Sequence, residues 1–219
     1  MLRDIRSPRY SGLVDKQGFT RIDELAKQIE VLINKKDFEE AADMELTMMQ
    51  ALVKEMPGVD VYNFIARTNV SSVPMVKRYL AMEDEVQWSF LNNDIYESLS
   101  GDLLKSVTKR VEFLLNNTGI KVIVYNGALD FLVNTAGTRL WMEHLKWKSK
   151  DKWKESAQEP FSVNSFTEGY VKKADNLLLY VVFRAGHSVR VPIDNMMAFR
   201  EMLMQELVYS EMLTSILNK

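Results

Sequence analysis

Cysteine is absent from the 219-residue sequence, which excludes disulfide frameworks, thiol nucleophiles and cysteine-based metal sites. The absence fits a cytosolic protein without requiring one. Long hydrophobic runs are absent too: the longest, Leu177 to Phe183, has the length of a strand and cannot cross a bilayer. Neither sign of charge dominates. With 28 Lys and Arg against 30 Asp and Glu, the net charge is −2, which leaves no basic footprint for nucleic acid and no polybasic segment for membranes. The first residues, Met1-Leu-Arg-Asp-Ile-Arg-Ser-Pro8, lack the apolar core of a signal peptide. No internal repeat or low-complexity tract occurs. What remains is an ordinary globular composition, 47% hydrophobic and 26% charged, long enough for one domain or a small domain with an appendage. Two sequons, Asn69-Val-Ser and Asn116-Asn-Thr, would accept glycans in a secreted chain.

The apolar pattern divides the chain. Ile22, Leu25, Ala26, Ile29, Leu32 and Ile33 recur at spacings of three and four, and so do Phe38, Ala41, Ala42, Met48, Met49, Leu52 and Met56. These predict two helices within residues 20–56. Asp37 and Glu40 suggest a capping box for the second, Pro57-Gly58 ends it, and the short Lys35-Lys36 link implies an antiparallel hairpin. Asp60-Val-Tyr-Asn-Phe-Ile65 reads as a short extended piece, and Val76–Met82 as a short helix. Asp102–Asn116 reads as one amphipathic helix, burying Leu103, Leu104, Val107, Val111, Leu114 and Leu115. The β-branched run 121–126 predicts a strand covered on both faces, as parallel sheets require. A helix over 135–146, a Lys-rich surface excursion over 148–159 and a second buried strand over 177–183 follow. The last helix, from Asp194, carries Met197, Phe199 or Met202, Leu203, Leu207 and Leu213 inward. Its methionines read as adaptable core packing. Helix, strand, helix, strand, helix is an α/β layout with right-handed crossovers. Two strands are too few for a sheet buried on both faces.

Asp130 and His187 each lie four residues beyond the end of one of the two expected strands. In open α/β sheets ligands bind at the carboxyl ends of the strands, so parallel neighbours would present both residues on one edge. A carboxylate beside an imidazole is the supporting half of a nucleophilic triad, and the order Asp then His is that of α/β-hydrolases. On spacing alone Asp130 reads first as a turn residue or helix N-cap, and His187 as an incidental member of a Gly-His turn. The other histidine, His144, reads as a helix-face residue, and the Lys and Glu run at 148–159 as a solvated face.

The segment Val122-Ile-Val-Tyr-Asn-Gly-Ala-Leu-Asp130-Phe-Leu-Val-Asn-Thr-Ala-Gly137, continuing to Trp141 and Leu145-Lys-Trp147, resembles the catalytic-Asp segment of serine carboxypeptidases. Leu177 through Ala185-Gly-His187 resembles their catalytic-His segment. Leu13-Val-Asp-Lys-Gln-Gly18 and Gly58-Val-Asp-Val-Tyr-Asn-Phe64 are similar to the helical insertion of the retinoid-inducible serine carboxypeptidase subgroup. The resemblance implies the C-terminal half of an α/β-hydrolase fold. Residues 1–85 would be a cap-like helical insertion and residues 86–219 the C-terminal part of the core. It implies Asp130 and His187 as catalytic residues, no cofactor and no metal, a peptide C-terminus as substrate, and a secreted or lysosomal location.

The family's nucleophile elbow, Gly-x-Ser-x-Gly or Gly-Glu-Ser-Tyr-Ala-Gly, occurs nowhere in the sequence, since no two of its nine glycines are four or five apart. A second departure follows His187. The family pattern there is Met-Val-Pro and an acidic residue, whereas this sequence runs Ser188-Val-Arg-Val-Pro192, which alters the apolar wall beside the substrate. Three readings stand at this point. The chain is half of a serine-type carboxypeptidase, working with the missing N-terminal half. Alternatively it is a non-catalytic partner-binding protein of that ancestry, or a helical interaction module built on residues 20–56.

Overall fold

A computed structural model of the chain describes residues 12–65 and 92–187, with Glu201, Met202, Met204 and Glu206 of a later helix. The expected helix at 76–82, the Asn69 sequon, the Ser188–Pro192 run and the positions Met197, Phe199, Leu203, Leu207 and Leu213 lie outside the described residues. The described chain falls into two compact units. One holds the residues up to Gly58 and those from Asn92 to Lys105; the other holds Val59–Ile65 and the residues from Ser106 onward.

The first unit is built on a helical hairpin, as the apolar spacing predicts. Helix α1 (Lys16–Lys35) starts where the Asp15 carboxylate accepts the Gly18 N–H at 2.7 Å. It ends on Lys36 in the left-handed conformation, φ 65°, with the Lys36 and Asp37 amides donating back to Ile33 and Leu32. This is the double hydrogen bond that closes a helix and reverses the chain. Helix α2 (Phe38–Glu55) follows at once. Ile22, Ala26 and Ile29 of α1 are buried, as are Ala41, Ala42, Met48 and Leu52 of α2. The capping box does not form, because Asp37 makes no side-chain cap bond. The Lys36 turn already directs the chain into α2. Helix α3 (Asn93–Leu103) joins the hairpin through the Tyr96 hydroxyl, which donates to the Ala42 carbonyl at 2.9 Å.

The single helix predicted over 102–116 is two helices. Helix α3 stops at Leu103, and α4 begins anew as Thr108–Asn117. Between them the Ser106 hydroxyl bonds the Thr108 hydroxyl at 2.8 Å, a local side-chain bond that competes with continuous helix. The break falls where the chain leaves one unit for the other. Leu103 and Val107 are consequently exposed rather than buried, and Leu115 is the buried anchor of α4.

The second unit carries a four-stranded sheet. Its strands are β1 (Val122–Gly127), β2 (Gln158–Val163), β3 (Phe166–Ala174) and β4 (Leu177–Val182), in the order β1-β4-β3-β2. The two strands read from the sequence are adjacent and parallel, with Val122 opposite Leu177 and Gly127 opposite Val182. Helix α5 (Thr135–Glu143) lies in the crossover between them. The stretch at 148–159 is largely exposed, as expected of a solvated face, but it carries a short helix, α6 (Lys150–Glu155), with Trp153 buried, followed by the start of β2. Strands β2, β3 and β4 form an antiparallel meander. Its two turns are tight: Asn164 and Ser165 both have positive φ, and Asp175 and Asn176 join β3 to β4. Asn and Asp tolerate that backbone, but without glycine they are a weak hairpin signal.

Every residue of β4 is buried, and the reason is alternation. Leu177, Leu179 and Val181 pack with Leu115, Met142, Leu145, Trp147 and Trp153 on one face. Leu178, Tyr180 and Val182 pack with Phe161, Val171, Ala185 and Met202 on the other. A strand with a core on both sides has no polar face, so its sequence reads as one apolar run. Each such side chain contributes about 1.5–3 kcal/mol when fully buried. By contrast β1, one of the two edge strands among those described, is half-buried, and Tyr125 is exposed. Continuous apolarity over 121–126 therefore overstates its coverage.

Candidate active site

The end of β1 is where the chemistry begins. Asn126 is buried, and its side chain ties down the loop that follows: Nδ2 donates to the Val133 carbonyl at 2.7 Å, and Oδ1 accepts from the Thr135 hydroxyl at 2.6 Å. Asn134 caps α5 by accepting the Gly137 amide at 2.8 Å. Asp130, at the top of this loop, is 3% exposed and uses both carboxylate oxygens. Oδ1 accepts the Val133 N–H at 2.9 Å, and Oδ2 faces the imidazole of His187. The side chain is thus held by its own loop as well as by the histidine.

His187 comes from the turn after β4. Its Nδ1 lies 2.8 Å from Asp130 Oδ2, inside the 2.6–3.2 Å reach expected of an oriented pair. Asp130 accepts, so Nδ1 is the donor, and Nε2 is left as the ring nitrogen that can take or give a proton. The hydrogen bond to Asp130 raises the histidine's pKa above its ordinary value; partial burial opposes this, and the aspartate charge adds to it.

Both loops close on a third segment, Val59–Ile65. The sequence suggests an extended piece there, whereas it forms turns. Asp60 Oδ1 accepts the Tyr62 amide at 2.8 Å, a side-chain turn that bends the segment. Phe131 and Leu132 amides donate to the Val61 carbonyl, Phe64 N–H to Leu129, and His187 N–H to the Tyr62 carbonyl at 2.8 Å. Leu129 N–H in turn donates to Ala185. The packing leaves no room for side chains at two glycines. A Cβ on Gly127 would sit 2.2 Å from the Gly186 carbonyl oxygen, and one on Gly186 would sit 2.4 Å from that of Tyr62. The Tyr62 ring meets the imidazole edge-on, centroids 5.2 Å apart at 63°.

Of the two site residues read from the sequence, both lie here and touch. His144 does not join them: it ends α5, exposed, its Nδ1 2.7 Å from the Leu140 carbonyl. Tyr62, Asn126 and the two glycines were not singled out by spacing. Only the Asn-Gly at the end of a predicted strand marks two of them. Among the described residues no cluster of three or more His, Asp or Glu side chains could hold a metal ion. Among them also, no helix is long and apolar enough to cross a membrane.

Parallel adjacent strands with a helix in the connection between them, a carboxylate after one and an imidazole after the other, are features of an α/β-hydrolase fold, present here in part. The solved structure of a prohormone-processing carboxypeptidase from Saccharomyces cerevisiae superposes with a TM-score of 0.66 at 20% identity, covering 96% of this chain and 51% of the other. The chain belongs to the serine carboxypeptidase family, whose profile matches residues 10–208. It is 26% identical over 217 residues to the retinoid-inducible serine carboxypeptidase of Rattus norvegicus, covering 81% of this chain and 47% of that protein. It is 24% identical over 231 residues to the serine carboxypeptidase-like 51 protein of Arabidopsis thaliana, covering 85% and 50% respectively. The chain therefore spans about half the length of the relatives it matches.

Proposed function

We propose that His187 is the general base and acid of a serine-type carboxypeptidase and Asp130 the carboxylate that orients it, working with a nucleophilic serine and oxyanion donors contributed from outside these 219 residues. The observation that carries this reading is the 2.8 Å contact between His187 Nδ1 and the buried Asp130 carboxylate at the ends of two parallel strands. In the reaction, the serine Oγ attacks the carbonyl carbon of the last peptide bond while His187 Nε2 takes its proton. Asp130 holds the Nδ1–H and stabilises the imidazolium. His187 then gives that proton to the departing amino group, releasing the C-terminal residue and leaving an acyl-enzyme. Water, deprotonated by His187, hydrolyses the ester and restores the serine. The helical hairpin of α1 and α2 serves as the cap-like insertion, and the sheet unit as the C-terminal part of the core. The family supports a secreted or lysosomal setting, with a peptide C-terminus as the substrate.

Residues 1–219 alone lack the elbow, so they are expected to be inactive. The test has two arms. Residues 1–219 are purified and assayed for C-terminal residue release from a blocked dipeptide, with a serine-reactive phosphonate as probe. The same assay follows with the reading frame extended upstream of Met1. Labelling and release that appear only in the extended protein, and vanish in its His187→Ala variant, support the proposal. An extended protein that takes no label overturns it in favour of a non-catalytic, partner-binding role. Stoichiometric labelling of residues 1–219 alone would reveal an unsuspected activated serine.

A further inference from the structure

One hydrogen bond does not fix an imidazole. The Nδ1 contact to Asp130 restrains one point of the ring, and the side chain of His187 remains 42% exposed, so water can compete for that bond. A nearby aromatic edge supplies a second restraint. Tyr62 meets the imidazole at 5.2 Å between centroids and 63° between planes. The same residue's carbonyl accepts the His187 backbone N–H at 2.8 Å. Tyr62 therefore holds the histidine at its main chain and its ring, while Asp130 holds its Nδ1.

The segment that presents Tyr62 is built for this. Asp60 Oδ1 bonds the Tyr62 amide, Asn63 N–H returns to the Asp60 carbonyl at 3.2 Å, and the Val61 carbonyl takes two amides of the Asp130 loop. Gly186 permits the approach, since any Cβ there would collide with the Tyr62 carbonyl oxygen. A half-buried phenol ring also keeps water from one side of the Asp130–His187 bond, and hydrogen bonds strengthen as their surroundings dry. Burial and the charges of Asp60 and Asp130 raise the Tyr62 phenol's own pKa, so the ring stays neutral beside the pair.

We infer that Tyr62 is the positioning residue of His187, its ring holding the imidazole plane against the Asp130 carboxylate. This rests on the reading of Asp130 and His187 as a working pair, but its test needs no activity. With two histidines in the chain, the imidazole signals are few. The full 219-residue chain, labelled with nitrogen-15 in histidine, is examined by NMR for the downfield Nδ1–H proton of His187, assigned by its loss in His187→Ala and its persistence in His144→Ala.

The expected result is a resolved Nδ1–H resonance in the parent chain, retained in Tyr62→Phe, which keeps the ring. In Tyr62→Leu the resonance is expected to disappear through exchange with water, although circular dichroism and cooperative thermal unfolding stay as in the parent. If Tyr62→Leu fails to fold, Tyr62→Met, which restores apolar length without a ring, is read the same way. A Leu or Met variant that keeps the resonance with unchanged exchange overturns the role of Tyr62 while leaving the Asp130–His187 pair intact. Loss in Tyr62→Phe as well overturns the assignment to the ring. A folded parent chain with no such resonance overturns the pair itself, and with it the proposed function.

Discussion

The two units of this chain are stabilised in different ways. The hairpin is local: α1 and α2 are consecutive, their buried residues recur at helical spacing, and one left-handed residue reverses the chain. The sheet unit is assembled from afar. Tyr62, Asp130 and His187 meet although they lie 57 residues apart or more, and β4 is buried only because helices and strands from both sides arrive to cover it. Local contacts are inexpensive in chain entropy, whereas distant ones must first overcome loop closure. The difference teaches where a substitution is felt: in the hairpin it should act on one helix, in the sheet unit on several segments at once.

The sharpest way to test this contrast is catalytic. In the protein extended upstream of Met1, His187→Ala is expected to lower kcat by about 10⁶-fold, the scale seen when a triad histidine is removed. Asp130→Asn is expected to lower it by about 10⁴-fold, because the wrong tautomer then faces the nucleophile. Arg21→Ala, which removes the paired hydrogen bonds to Glu55 in the hairpin, is expected to leave kcat near the parent value. Steady-state release of a C-terminal residue measures all three.

Next in size are core truncations. Leu179→Ala in β4 and Ile29→Ala in α1 remove side chains that are at most 2% exposed, and each is expected to cost about 2–5 kcal/mol in denaturant unfolding. If the units unfold separately, the two variants shift different transitions. If they shift a single one together, the contrast between local and distant assembly does not extend to cooperativity.

A smaller effect with a pH signature comes from Glu206. This buried carboxylate bonds the Tyr180 hydroxyl, Lys121 Nζ at 2.8 Å and Lys173 Nζ at 3.0 Å. Burial pushes its pKa up, but these hydrogen bonds outweigh that and hold it at about 2, below its ordinary 4.5. A depressed acid stabilises the fold above its unfolded pKa, and that contribution is lost as pH falls from about 4.5 towards 2. Glu206→Gln is expected to cost about 1–3 kcal/mol at neutral pH. The cost should shrink across that acid window in urea titrations. His187 has the opposite sign: its raised pKa favours folding below its ordinary 6.5, and the contribution fades as pH rises through the folded value. An imidazole NMR titration locates that value.

The smallest effects separate two aspartates that look alike in sequence. Asp15→Ala removes a cap bond and is expected to cost about 0.5–2 kcal/mol, read as a lower thermal midpoint. Asp37→Ala, which removes no cap bond, is expected to stay within about 0.5 kcal/mol.

Periodicity was enough to locate the hairpin, β1, β4 and α5, because a buried stripe or a doubly covered strand must write its period into the residues. It was misleading where an apolar residue had no partner. Leu103 and Val107 continue the helical period of α4, yet both are exposed beside a break that Ser106 and the unit boundary impose. Strands β2 and β3 are not legible in the sequence because β2 is largely exposed and their turns, Asn164-Ser165 and Asp175-Asn176, lack glycine. The order of Asp130 and His187 after two apolar runs, and the family resemblance around them, point to two residues that the fold brings into contact.

Alone, then, the sequence determined which residues could do chemistry and which runs must be buried, since composition and period follow from side-chain hydrophobicity and backbone repeat. It did not determine that the pair would touch, nor what would hold it. Those were decided by the register of β1 against β4, which brings both loops to one edge, and by the turn at Asp60, which carries Tyr62 against His187. Such contacts join segments with no common period, and only the folded chain brings them together.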